Sequence, residues 1–83
     1  MIDKTKAMQI VLTIKGKRTM NSEQETLSKV ENYLVNQDTY DHHKTMAYIE
    51  TLFSPKLGGA AIYVNKVLKY LKLELKGAHK ANV

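Results

Sequence analysis

The stretch "VLKYLKLELKG", Val67 to Gly77, constrains the fold most, because two different periods fit it. Counted back to Leu57, apolar residues fall at positions 57, 61, 64, 68, 71 and 75, the stripe of a helix. Counted forward, Leu71, Leu73 and Leu75 alternate with Lys72, Glu74 and Lys76, the pattern of a strand. With a step of about 100° per residue from Leu57, Leu73 lands about 160° away, among lysines. A continued helix therefore exposes one leucine, whereas a strand from Leu71 puts all three leucines on one side. The spacing predicts a helix to about Tyr70, then a strand, a turn at Gly77 and a short return arm in "AHKANV".

The rest of the chain supplies the partners for that ending. In "AMQIVLTIKGK", Met8, Ile10, Leu12 and Ile14 alternate with Gln9, Val11, Thr13 and Lys15, which predicts a strand ending near Gly16. "NSEQETLSKVENYLVNQ" opens with Asn21 or Ser22 as cap, and Ser22 with Glu25 has capping-box spacing. Leu27, Val30 and Leu34 then form one helical face, with Tyr33 at its edge. "DTYDHHKTMAYIETLF" predicts a second helix from Asp41 or Thr45, with Met46, Ile49 and Phe53 inward and a stop at Pro55. Gly58 and Gly59, each costing about 1 kcal/mol inside a helix, fit better at a turn that opens the third helix or at a close contact between helices.

This order predicts an α+β fold with three helices, an N-terminal strand and a C-terminal strand or hairpin, in one domain spanning 1–83. A helix, a Pro/Gly turn, a helix and a basic strand make a winged helix-turn-helix. Through "TMAYIETLFSPKLGGAAIYVNKVLKYLKLELKG" the chain resembles winged-helix transcription proteins. Its "PKLGGA" turn and strand-first start are similar to the N-terminal domain of bacteriophage middle-promoter activators of the MotA type. That resemblance implies a protein partner in the transcription machinery, since in those proteins this domain engages the host sigma factor.

Charge is segregated along the chain. Residues 1–20 carry five positive charges and one negative, residues 21–53 two and six, and residues 54–83 six and one, giving +4, −4 and +5. The net charge of +5 favours an anionic partner. Tyr63, Lys66, Lys69 and Tyr70 on the outer face of the third helix are the candidates for duplex DNA contact, with Lys56 at its entry. Lys72, Lys76 and Lys80 supply the wing, and Lys15, Lys17 and Arg18 a further phosphate clamp. A single arginine and no glutamine in this region favour phosphate contact over base reading; Asn65 is the one amide in that helix. The expected function is a small DNA-binding transcriptional regulator, monomeric or homodimeric.

Two alternatives follow from the same residues. Ile62, Tyr63 and Tyr70 suit a protein-interaction surface, since aromatic side chains anchor interfaces. The other alternative is a small basic helical bundle, such as a bacteriocin immunity protein, a class that is also short, charged and lysine-rich. That reading requires residues 8–15 and 57–75 to be helical.

Signals for chemistry are sparse. His42 and His43 beside Asp38 and Asp41 look like a ligand cluster, but adjacent histidines on a helix point about 100° apart and do not readily share a metal. His79 has no partner at a recognisable spacing and reads as a tail residue. Ser54 lacks a nucleophile-elbow sequence, and "LGG" is too short for a phosphate loop. No enzyme, cofactor or metal is expected. With no cysteine, no cleavage pattern for a leader and no apolar run longer than Ala60–Val64, a cytoplasmic setting without membrane insertion is expected.

Overall fold

The computed structural model of the chain describes residues 2–56 and 58–81. Four α-helices, α1 (Lys4–Gly16), α2 (Asn21–Val35), α3 (His42–Thr51) and α4 (Ala60–Ala81), make up its regular structure, and there is no strand among the described residues. The predicted α+β winged helix is therefore replaced by an all-helical bundle.

Residues 8–15 form a helix, not a strand, for reasons legible at both ends. Asp3 caps α1, its carboxylate accepting from the Lys6 amide at 2.8 Å. The buried face is Ala7, Val11 and Ile14, at spacings of four and three, with Met8 and Ile10 flanking it. The alternation had placed Val11 among the polar residues, yet it is fully buried while Leu12 is exposed. At the far end, the Gln24 side-chain amide donates to the carbonyls of Lys15, at 2.6 Å, and Arg18, closing the last turn.

Helix α2 starts two residues earlier than a Ser22 cap would allow, and one earlier than an Asn21 cap. Its N-cap is Met20, without a side-chain hydrogen bond, and Asn21 is already helical. Leu27, Val30 and Leu34 are buried as their spacing predicts. Its C-terminus is closed by the Lys4 ammonium, which donates to the carbonyls of Val35 at 2.9 Å and Gln37 at 2.7 Å. Asp41 caps α3, accepting from the Lys44 amide at 2.9 Å, and α3 ends before Pro55 as the sequence predicts. The buried Thr45 hydroxyl donates to the Asp41 carbonyl at 2.7 Å and accepts from Gln37 at 3.0 Å, so its burial leaves nothing unsatisfied.

The predicted turn before the third helix is present. Gly58 and Gly59 have φ of 110° and 60°, a left-handed region that side chains adopt at a cost. From Ala60 the helix runs unbroken for 22 residues, about 33 Å. It passes through Leu71–Leu75 and through Gly77, so the wing strand, the Gly77 turn and the return arm are all overturned as far as Ala81. Leu57, the start of the sequence stripe, and positions 82–83 lie outside the described residues. The physical reason is backbone pairing: with residues 8–15 helical, a strand at 71–75 has no neighbour to satisfy its amides and carbonyls. A continued helix satisfies them internally and buries Leu75 completely at the cost of exposing Leu73.

Cross-pairs show that successive helices run antiparallel. Lys4 meets the end of α2, Gln37 meets Thr45 and Tyr33 stacks on Tyr48 at 4.2 Å, while His42 lies against His79. α2 and α4 pack across the bundle as well as against their other neighbours, whereas α1 and α3 do not pack against each other among the described residues. The core is filled by Val11, Leu27, Val30, Leu34, Ile49, Val67, Leu68, Leu71 and Leu75, with Ile2 closing one end. The molecule measures 37 × 21 × 21 Å.

Candidate docking face on helix α4

The core-facing stripe of α4 is Val64, Val67, Leu68, Leu71 and Leu75. Opposite it, the helical step places Ile62, Lys66, Lys69, Leu73, Lys76 and Lys80 on the outer face. Leu73 is 64% exposed, the most exposed large apolar side chain of those described. Glu74 is the one acidic residue of α4, and it lies on the flank toward α1, about 100° round the helix from Leu73. The outer face is thus a basic and apolar stripe with no acidic residue on it.

Of the lysines expected to form a wing, Lys76 and Lys80 sit on this stripe instead. Lys66, Lys69, Lys76 and Lys80 are exposed on the outer face of α4. Lys72 is turned toward α3, where it pairs with Glu50 and lies 5.7 Å from the centre of the Phe53 ring. The phosphate clamp does not assemble as expected. Lys15 is engaged by Glu31 at 3.0 Å, while the Arg18 guanidinium lies 6.0 Å from the centre of the Tyr70 ring. Lys17, Arg18 and Tyr70 do come together, lining a groove between α1 and α4 of about 350 Å³. Tyr63 is about half exposed, and Lys56 is exposed in the loop before α4.

Asn65 has a structural role at the entry of α4. Its carbonyl accepts from the Ser54 amide and its amide donates to the Ser54 carbonyl, both at 2.9 Å. That pair fixes the loop after α3 onto α4. Ser54 in turn accepts from the Lys56 amide at 3.2 Å, as a turn residue does.

A second groove, of about 510 Å³, runs between α3 and α4. Half-buried Met46 and Phe53 and the exposed Leu73 give it an apolar lining, beside Lys69, Lys72 and Lys76, and His42 and His43 line it as well. Apart from the lysines and the histidine pair, none of these side chains stands out in the sequence as part of a site. The signal for Leu73 was present, since the helical count exposes it; no spacing joins it to Met46 and Phe53.

The histidines have their own electrostatics. His42 and His79 stack with ring centroids 3.9 Å apart and planes 2° apart. The Tyr40 hydroxyl lies 2.8 Å from Nδ1 of His42. Burial, foremost, pushes the Tyr40 phenol up to about 12, the Thr45 hydroxyl acting the other way and Asp41 adding to the rise. The phenol stays protonated through neutral pH. Burial also lowers the His42 pKa, with repulsion from His79 and then His43 adding to it and Asp41 opposing. Among the described residues no group of three or more histidine, aspartate or glutamate side chains is arranged to hold a metal ion. No helix there is long and apolar enough to cross a membrane.

No protein family, curated protein or solved structure matches the chain. What the fold defines is a class: a basic antiparallel four-helix bundle whose last helix carries exposed apolar and cationic side chains on one face. The wing on which the DNA-regulator expectation rested is absent among the described residues, and that expectation loses its structural basis with it.

Proposed function

We propose that this chain is a non-catalytic binding protein of the bacteriocin-immunity type, a small basic helical bundle that acts by docking onto a protein. The observation that carries the reading is the unbroken course of α4, which leaves Leu73 outward between Lys69 and Lys76. An exposed leucine flanked by lysines contributes nothing to the core, and it suits an interface whose centre is apolar and whose rim is charged. The helical state of residues 8–15 and of 60–75 supports this reading, which needs residues 8–15 and 57–75 to be helical.

The test is protection. Bacteriocin-sensitive cells expressing the chain are challenged with a panel of bacteriocins, beside cells expressing the Leu73→Glu variant. The reading expects survival with at least one bacteriocin, lost or reduced in the variant. No protection, together with salt-dependent binding to duplex DNA that Lys66→Glu and Lys69→Glu weaken, would contradict it.

A further inference from the structure

We infer that the groove between α3 and α4 takes an acidic amphipathic helix of a partner protein, with an apolar side chain of that helix seated among Met46, Phe53 and Leu73. This rests on the reading of the chain as a binding protein and names the chemistry of what it binds.

Shape comes first. The groove is concave, about 510 Å³, lined by aromatic and aliphatic side chains with long cationic ones beside them. Along α4 it extends from Lys69 to Lys76, seven residues or about 10 Å, two turns of a helix. A docked helix presents apolar anchors at spacings of three and four over that length. Phe53 and Met46 are partly buried and packed against the core, so that part of the lining is held in place before a partner arrives.

Charge selects the occupant. Glu50, the one acidic residue lining the groove, is engaged by Lys72. Lys69 and Lys76 have no acidic partner among the described residues. A partner helix with carboxylates flanking its apolar stripe would complete both lysines. It would also gain from steering by the basic field of α4.

The same charges argue against a second copy of the chain. A two-fold interface sets a patch against itself, so Lys69 and Lys76 would face the same lysines across it. A lipid surface fits less well, because an interfacial helix presents a convex apolar ridge, whereas here the apolar side chains line a concavity between two helices.

The experiment is a titration of the methyl and amide NMR spectra of the full chain with two synthetic helical peptides. They share one leucine stripe; one carries glutamates beside it and the other lysines. The acidic peptide is expected to shift Leu73 and Met46 methyl resonances with saturation, and to bind about tenfold more weakly when salt rises from 0.05 to 0.5 M. Leu73→Glu, at an exposed position that leaves the bundle folded, is expected to abolish the shifts, and Lys69→Glu with Lys76→Glu to weaken them. Absence of shifts with the acidic peptide would overturn the inference, as would equal response to the basic peptide. So would concentration-dependent shifts of the protein alone, or perturbation of Leu73 by phosphatidylglycerol vesicles and not by the peptide. If peptide binding fails while expressed protein still protects cells, the groove assignment falls and the binding-protein reading stands.

Discussion

The imidazole rings of His42 and His79 lie parallel, 3.9 Å apart, joining the first residue of α3 to the last turn of α4. Repulsion from the His79 ring at that distance disfavours a proton on His42. His42 faces His43, Asp41 and the Tyr40 phenol as well, and a proton at the first residue of α3 also opposes the helix dipole. The two rings fasten the end of α4 beside the mouth of the α3–α4 groove.

The folded pKa of His42 lies below its unfolded value of 6.5, so the unfolded chain binds the proton first. Stability from this group is complete above the unfolded pKa and declines as pH falls toward and through the folded one. Urea unfolding at pH 7.5 and pH 5 is expected to show a lower midpoint in acid. In His42→Gln that part of the difference disappears, and in the parent chain the His42 proton resonance titrates below the usual histidine range.

Leu73 and Leu75 are two residues apart yet differ completely in burial, which separates helix from strand energetically. Leu75→Ala is expected to cost about 2–5 kcal/mol, as for a buried leucine. Leu73→Ala should change stability by no more than about 0.5 kcal/mol. Chemical denaturation of both variants checks this; equal costs would match the strand, in which both share a face.

Asn65 makes two hydrogen bonds to the backbone of Ser54. Asn65→Ala leaves both the N–H and the carbonyl of part-buried Ser54 without their side-chain partner, an expected loss of about 1–3 kcal/mol. Asn65→Asp keeps the acceptor for the Ser54 amide and is expected to lose less. Thermal unfolding compared with the parent chain measures the difference.

Gly59 holds φ of 60° in open space, with nothing within 4 Å of the position a Cβ would take. Gly59→Ala therefore costs only backbone strain, expected at about 1–2 kcal/mol. Gly59→Asn, which tolerates this region better, should cost less. The order of their unfolding midpoints is the check.

Much of the fold was legible where one period was unopposed. Leu27, Val30 and Leu34 gave α2, Asp41 and Pro55 bracketed α3, and the two glycines marked the entry to α4. The misreadings came where apolar residues fit two periods at once. In α1, Leu12 makes an alternating set with Met8, Ile10 and Ile14, whereas the Asp3 cap and the spacing of Ala7, Val11 and Ile14 favour the helix. In α4, the exposure of Leu73 was treated as a cost large enough to end a helix. A single exposed leucine costs little, whereas an unpaired strand leaves several polar groups without partners. The contact of His42 with His79 was beyond reach, because thirty-odd residues and two helix directions separate them. The lysines of the outer face were found, but the groove they line depends on α3 lying beside them.

The most direct test of the account is the set of backbone carbon chemical shifts over Leu71–Lys76. Helical shifts without interruption from Ala60 to Lys76 are predicted, placing Leu73 on the outer face of α4. Extended shifts at Leu71–Lys76 would contradict the bundle, the docking face and the groove together.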